Sequence, residues 1–227
     1  MRNFLRTPDE SVFSGSNNDN IELLKAWAGT TLAFAVAQVG AAQILTARFV
    51  EFLLISAVVC GLGFVVHELA HRVVARNYGA EAHFVANNQW LILSIVIAFA
   101  GFFIAAPGAV WHRGYLTPRQ GGLIALAGPV SNLVLALIFL LLFPIAYLAG
   151  IRADWLFFLC LIGVGLNSWL GLFNMIPAGP FDGAKVLAWN QVVFGVTVAV
   201  GILLTFVIGS QSNLTKIWSF IIGLFGA

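Results

Sequence analysis

The chain has 227 residues, 60% of them hydrophobic and only 9% charged, against roughly 25% charged in an ordinary soluble domain. A mean hydropathy of +0.96, with several apolar runs long enough to cross a bilayer, excludes a soluble globular protein and predicts a polytopic membrane protein. The runs lack the strict alternation of lipid-facing barrel strands, which leaves an all-α fold, and the net charge of +2 is spread without a basic block that would bind nucleic acid.

Residues 1–25 are expected to form a polar cytosolic tail, with Pro8, Gly15 and a Ser/Asn/Asp cluster, and residues 26–227 a single integral-membrane domain. The first apolar run, about residues 26–47, is too long for a signal-peptide core and predicts an uncleaved span. Its Ala33, Ala37 and Ala41 form a small-residue stripe suited to close helix packing. A second span, about 52–75, carries His67-Glu68-Leu69-Ala70-His71 near its end. On a helix this pattern stacks two imidazoles on one face with a carboxylate beside them. Ionisable groups are expensive in hydrocarbon, so such a cluster needs a reason to be there. A metal site is one reason, and a metal-free ion-paired cluster is the alternative. Arg72 and Arg76 follow directly, which sets the motif a short way below the surface, on the cytosolic side if basic residues mark that side.

Residues 77–120 are the hardest to place. The run 90–106 is short for a span, and arginines flank it on both sides, at Arg72 and Arg76 and again at Arg113 and Arg119. A re-entrant or interfacial insertion satisfies both flanks, helical over about 90–100 and extended over about 102–111, and a plain extra span is the alternative. Extended backbone at membrane depth must line a cavity or be covered by protein, and an edge strand there suits pairing with an unwound peptide. A third span, 121–148, contains Gly128-Pro129 and Asn132; the proline kinks it, and Asn132 serves either an interhelical hydrogen bond or a polar site. A fourth, 155–173, ends in Asn174-Met175-Ile176-Pro177-Ala178-Gly179-Pro180-Phe181-Asp182-Gly183, a segment too rich in proline and glycine for a regular helix. A fifth covers 191–208. The final piece, 214–225, is shorter than a bilayer by helical rise, so the expectation is about six membrane helices, the last one incomplete or tilted. Cys60 and Cys160 lie in apolar runs and are expected to be small buried hydrophobes.

A catalytic zinc takes three protein ligands and keeps one position open. His67 and His71 supply two. Asp182 stands at the matching depth on a broken segment and is the candidate for the third, although an aspartate just before a helix also suits an N-cap. Glu81, His83 and His112 lie nearer the loops. Glu68 is then the candidate general base, taking a proton from the attacking water. The imidazoles bind metal only when neutral, so acid should strip the metal.

The motifs resemble those of the site-2 proteases, the M50 intramembrane zinc metalloproteases. That family shows His-Glu-x-x-His in one core span and Asn-x-x-Pro-x-x-x-x-Asp-Gly in another. Here these are His67 to His71, and Asn174, Pro177, Asp182 and Gly183 at the same spacing; Gly128, Pro129 and Asn132 match a Gly-Pro-x-x-Asn element between them. The resemblance covers a three-span core of about residues 52–186. It implies one Zn2+ per chain held by His67, His71 and Asp182, with Glu68 catalytic and Asn174 and Asn132 toward substrate. It also implies cleavage of transmembrane protein substrates near the cytosolic face of a multi-pass membrane protein, the cell membrane being the expected location. Phe181 and Ala184 depart from the usual Leu and Gly of the family. No segment outside the spans is long enough for a regulatory domain, so substrate choice would rest on the membrane core or on a regulatory membrane partner. Two other classes compete. An inactive adaptor for transmembrane helices has no need of Glu68, and a metal transporter needs a polar path that the apolar residues 52–66 do not offer.

Overall fold

The computed structural model describes residues 18–104 and 107–225. Most of the expected polar tail lies outside the described residues. Among them, four helices are long and apolar enough to cross a membrane: Ala47–Asn77, Pro118–Leu148, Asp154–Phe173 and Gln191–Ile208, here α2, α4, α5 and α7. Helix α1 (Asp19–Val39) precedes α2 and α8 (Gln211–Leu224) follows α7. These two, expected as the first and sixth spans, fall short of the same measure. The first begins seven residues before the expected start, at 19 rather than 26, taking in Asp19, Glu22 and Lys25, and stops at Gly40, whose φ of 76° no longer continues a helix. Its N-terminus is capped by the Asn18 side chain, the placement that satisfies an orphan amide of the first turn.

Helix α2 carries a π turn at Ala57–Gly61, where the Leu62 N–H reaches back five residues to the Ala57 carbonyl. Such a turn turns carbonyls outward for other donors. The Trp27 indole of α1 donates to Ala57 O at 3.0 Å, and Gly61 has no side chain because a Cβ would strike Trp27 and Thr31. The bulge is therefore where α1 docks on α2.

The insertion after α2 is helical where expected, in α3 (Asn88–Ala98), but the extended part is shorter than the expected 102–111. It is β2 (Gly108–Arg113), paired antiparallel with β1 (Glu81–Ala86), from Glu81 opposite Arg113 to Ala86 opposite Gly108. So the described residues are all-α apart from one strand pair, and β1 was not foreseen.

Helix α4 opens with a Thr117/Gln120 capping box and Pro118 in its first turn. Pro144 has no N–H for Leu140 O, and the buried Trp218 of α8 donates to that carbonyl at 2.8 Å. Trp218, Phe139, Leu156, Cys160 and Val164 form the core where α4, α5 and α8 meet, burying Cys160 as expected. After α5 the chain turns through Gly179 (φ 59°) into the short helix α6 (Asp182–Trp189). Gly183 donates to Asn174 O at 2.8 Å, and a Cβ there would overlap the Met175 carbonyl. The Asp-Gly pair is thus folded back onto the end of α5.

Candidate metal centre

Four spacing along α2 puts His67 and His71 on one buried face, pointing at α4 and the start of α6. His71 Nδ1 lies 2.7 Å from the Ile124 carbonyl of α4. A carbonyl only accepts, so Nδ1 carries the proton and Nε2 keeps its lone pair. His67 Nδ1 lies 2.6 Å from Asn132 Oδ1, while Asn132 Nδ2 donates to Gly63 O at 3.1 Å. The amide therefore shows His67 its oxygen, and His67 Nε2 is also free of hydrogen.

These two nitrogens are 3.0 Å apart. Asp182 Oδ2 is 3.4 Å from the His67 Nε2 and 3.1 Å from that of His71. With both rings neutral, three buried acceptors converge, an arrangement that repels itself unless a metal ion or a proton shared with Asp182 sits among them. Ligand bonds of about 2.0–2.1 Å in tetrahedral geometry give ligand-to-ligand edges of about 3.3 Å, close to those observed. The room is made by Gly128 of α4. A Cβ there would lie 2.5 Å from His67 Nε2 and closer still to His71 Nε2, in the space an ion would fill. His67, His71 and Asp182 form the group of metal-capable side chains found among the described residues, and the set suits one metal ion. Asp182 is the first residue of α6 and Phe181 its N-cap, so the capping alternative does not apply.

A cavity of about 410 Å³ opens onto this cluster. Glu68, Asn174, Lys185, Val110 and His112 line it with the three metal-facing side chains. Glu68 is buried on α2, and the Val110 backbone N–H of β2 faces its carboxylate. Asn174 uses its amide hydrogen on Leu170 O at 3.0 Å. Burial first, then the Lys185 ammonium, pushes the His112 pKa below the ordinary histidine value. Asn132 takes the interhelical hydrogen bond rather than the place toward substrate that the resemblance implied: it lies fully buried behind His67 with its amide spent on His67, Gly63 O and Asn167. Glu81 pairs with Arg113 at 2.7 Å and His83 with Asp19 at 2.9 Å, both away from the cluster. Sequence reasoning did not find the roles of Gly128, Ile124 O and Asn167. Of these only Gly128 left a trace, as a glycine before a proline inside a span.

Three relatives carry names that place them, by inference, among the zinc metalloproteases. MJ0611 of Methanocaldococcus jannaschii is 43% identical over 146 residues, 63% of this chain and 74% of the relative. YwhC of Bacillus subtilis is 34% identical over 143 residues, 56% of this chain and 64% of that one. Rip3 of Mycobacterium tuberculosis is 35% identical over 129 residues, 53% of this chain but only 27% of the relative. No family model and no solved structure matches the chain.

Proposed function

The chain belongs to the M50, or site-2 protease, family of zinc metalloproteases, and we propose that it cleaves transmembrane substrate helices within the membrane, near the cytosolic face. The observation that carries this is the convergence of His67, His71 and Asp182 on the space left by Gly128, with Glu68 beside it on an open cavity. His67, His71 and Asp182 would hold one Zn2+. A bound zinc supplies Lewis acidity, polarising the scissile carbonyl and making water a better nucleophile at neutral pH.

The chain's own residues do the rest. Glu68 takes the proton of the attacking water and returns it to the departing amide nitrogen. The Asn132 and Ile124 oxygens keep both rings aimed with Nε2 inward. Peptide backbone enters as an extended strand along the cavity-facing edge of β2, opposite its pairing with β1, where main-chain hydrogen bonds supply affinity whatever the side chains. Asn174 holds the same backbone from the other wall. A substrate helix must unwind to reach this position, since its carbonyls are otherwise committed to the helix.

Arg72, Arg76, Arg113, Arg119 and Lys185 fall at the site's end of their elements, and Arg48, Arg152 and Lys216 at the other. That bias supports a cytosolic site, with β1, α3 and β2 as a re-entrant insertion from the same face and residues 18–225 within one membrane domain. The test uses purified protein in proteoliposomes. It should carry about one zinc per chain by this ligand count and cut a helical transmembrane substrate. Chelation should stop cleavage and zinc should restore it. A metal-free protein that cleaves sinks the proposal.

A further inference from the structure

Behind Asn132, one helix further from the cavity, lies Asn167 of α5, fully buried. Its Oδ1 accepts from Asn132 Nδ2 at 3.1 Å. Its own Nδ2 donates to Val59 O at 3.3 Å and to Gly163 O at 3.1 Å. Val59 belongs to the π turn of α2, so a carbonyl turned outward by that bulge is one of the two that hold this side chain.

A primary amide can be flipped to exchange its oxygen and nitrogen, and only partners decide which way it sits. Both partners of Asn167 Nδ2 are backbone carbonyls, which cannot donate. Asn167 therefore has one satisfied orientation, with its oxygen toward Asn132. Asn132 Nδ2 then meets two acceptors, Gly63 O and Asn167 Oδ1. Flipping Asn132 would press its oxygen against both. Its Oδ1 is left for His67 Nδ1, and that fixes which nitrogen of His67 bears hydrogen. The approach is close enough that a Cβ on Gly63 would lie 2.7 Å from Asn167 Oδ1.

Resting on the metal reading above, we infer that Asn167 is a positioning residue. Through Asn132 it holds His67 in the Nδ1–H form, so that the Nε2 lone pair faces the metal. Without it Asn132 loses one of its two acceptors, so a turned amide is opposed by Gly63 O alone and gains in population. A turned amide gives His67 Nδ1 a donor, moves the ring proton to Nε2 and aims that proton at the metal.

The test measures zinc affinity of the purified full chain by competition with a chelator, and the His67 tautomer in metal-free protein by nitrogen NMR of the imidazoles. Asn167→Leu keeps the shape and removes the acceptor. It should weaken zinc about tenfold, the lower end for an outer-shell partner, and move His67 toward Nε2–H. Asn167→Asp keeps an acceptor toward Asn132 and should hold both readouts near wild type, which keeps the inference testable if Asn167→Leu does not fold. In an Asn132→Leu background, Asn167→Leu should add nothing. Unchanged zinc affinity in Asn167→Leu, an equal loss in Asn167→Asp, or additive losses in the double variant would each overturn the inference while leaving the metal reading intact. A wild-type chain that binds no zinc would overturn both.

Discussion

The two walls of the cavity are built by opposite means. The helical wall, made by α2, α4 and the start of α6, sets both histidines with buried partners far away in sequence and Asp182 with a backbone bond nearer along the chain. His71 is held by Ile124 O, His67 by Asn132, and Asp182 by the Gly183–Asn174 bond at its back. The strand wall has one partner strand, and its outer end is fixed by an exposed pair, Glu81 with Arg113. Exposed pairs contribute little, about 0–1 kcal/mol, whereas leaving a buried polar group unpaired costs roughly 1–3 kcal/mol. The difference teaches a division of labour. On the proposed function, one wall would keep three ligand atoms within a few tenths of an ångström, and the other would accept peptides of varied sequence.

Breaking the helical wall should have the largest effect. Gly128→Ala puts a methyl where the ion would sit, and is expected to lower zinc affinity by on the order of 100-fold or more and to abolish cleavage, with helix content unchanged by circular dichroism. Glu68→Gln separates holding from reacting. It should keep about one zinc per chain, the expected ligand count being intact, and lose about 10²–10⁴-fold in cleavage rate; full activity in that variant would sink the general-base role.

The strand wall should respond more mildly. Val110→Pro removes the N–H that faces Glu68 rather than β1, a position where an edge strand tolerates proline. Loss of that one backbone donor should lower kcat/KM about tenfold with zinc affinity unchanged, and an equal loss of zinc would show that the walls are not separable. The smallest effect belongs to the cluster joining α1 to both walls, where Asp19 meets Arg72 at 2.8 Å, Arg76 at 3.1 Å and His83 at 2.9 Å. Asp19→Ala leaves a mostly buried Arg72 without this partner, should lower the thermal midpoint at a cost of about 1–3 kcal/mol, and should leave zinc affinity and cleavage as they were.

Much of this was legible in the chain. Long apolar runs give the spans because the bilayer sets their length, and α4, α5 and α7 begin and end within three residues of their expected bounds. His67, Glu68 and His71 stand together because they share one helix turn. What escaped was set by partners distant in sequence. Strand β1 has an ordinary composition, and its identity comes from pairing with a strand that begins beyond α3. The first helix ended early because Gly40 left the helical region, although the apolar run continued past it.

The sequence by itself determined that this is a helical membrane protein carrying zinc-protease motifs, since hydropathy and i, i+4 spacing are local properties. Only the tertiary structure decided that Asp182 turns inward rather than capping its helix, that Gly128 leaves the space among the three ligand atoms, and that Asn132 stands behind His67 rather than beside substrate. Each depends on how closely two backbones approach and which way a buried amide faces. Contacts across the fold fix those quantities.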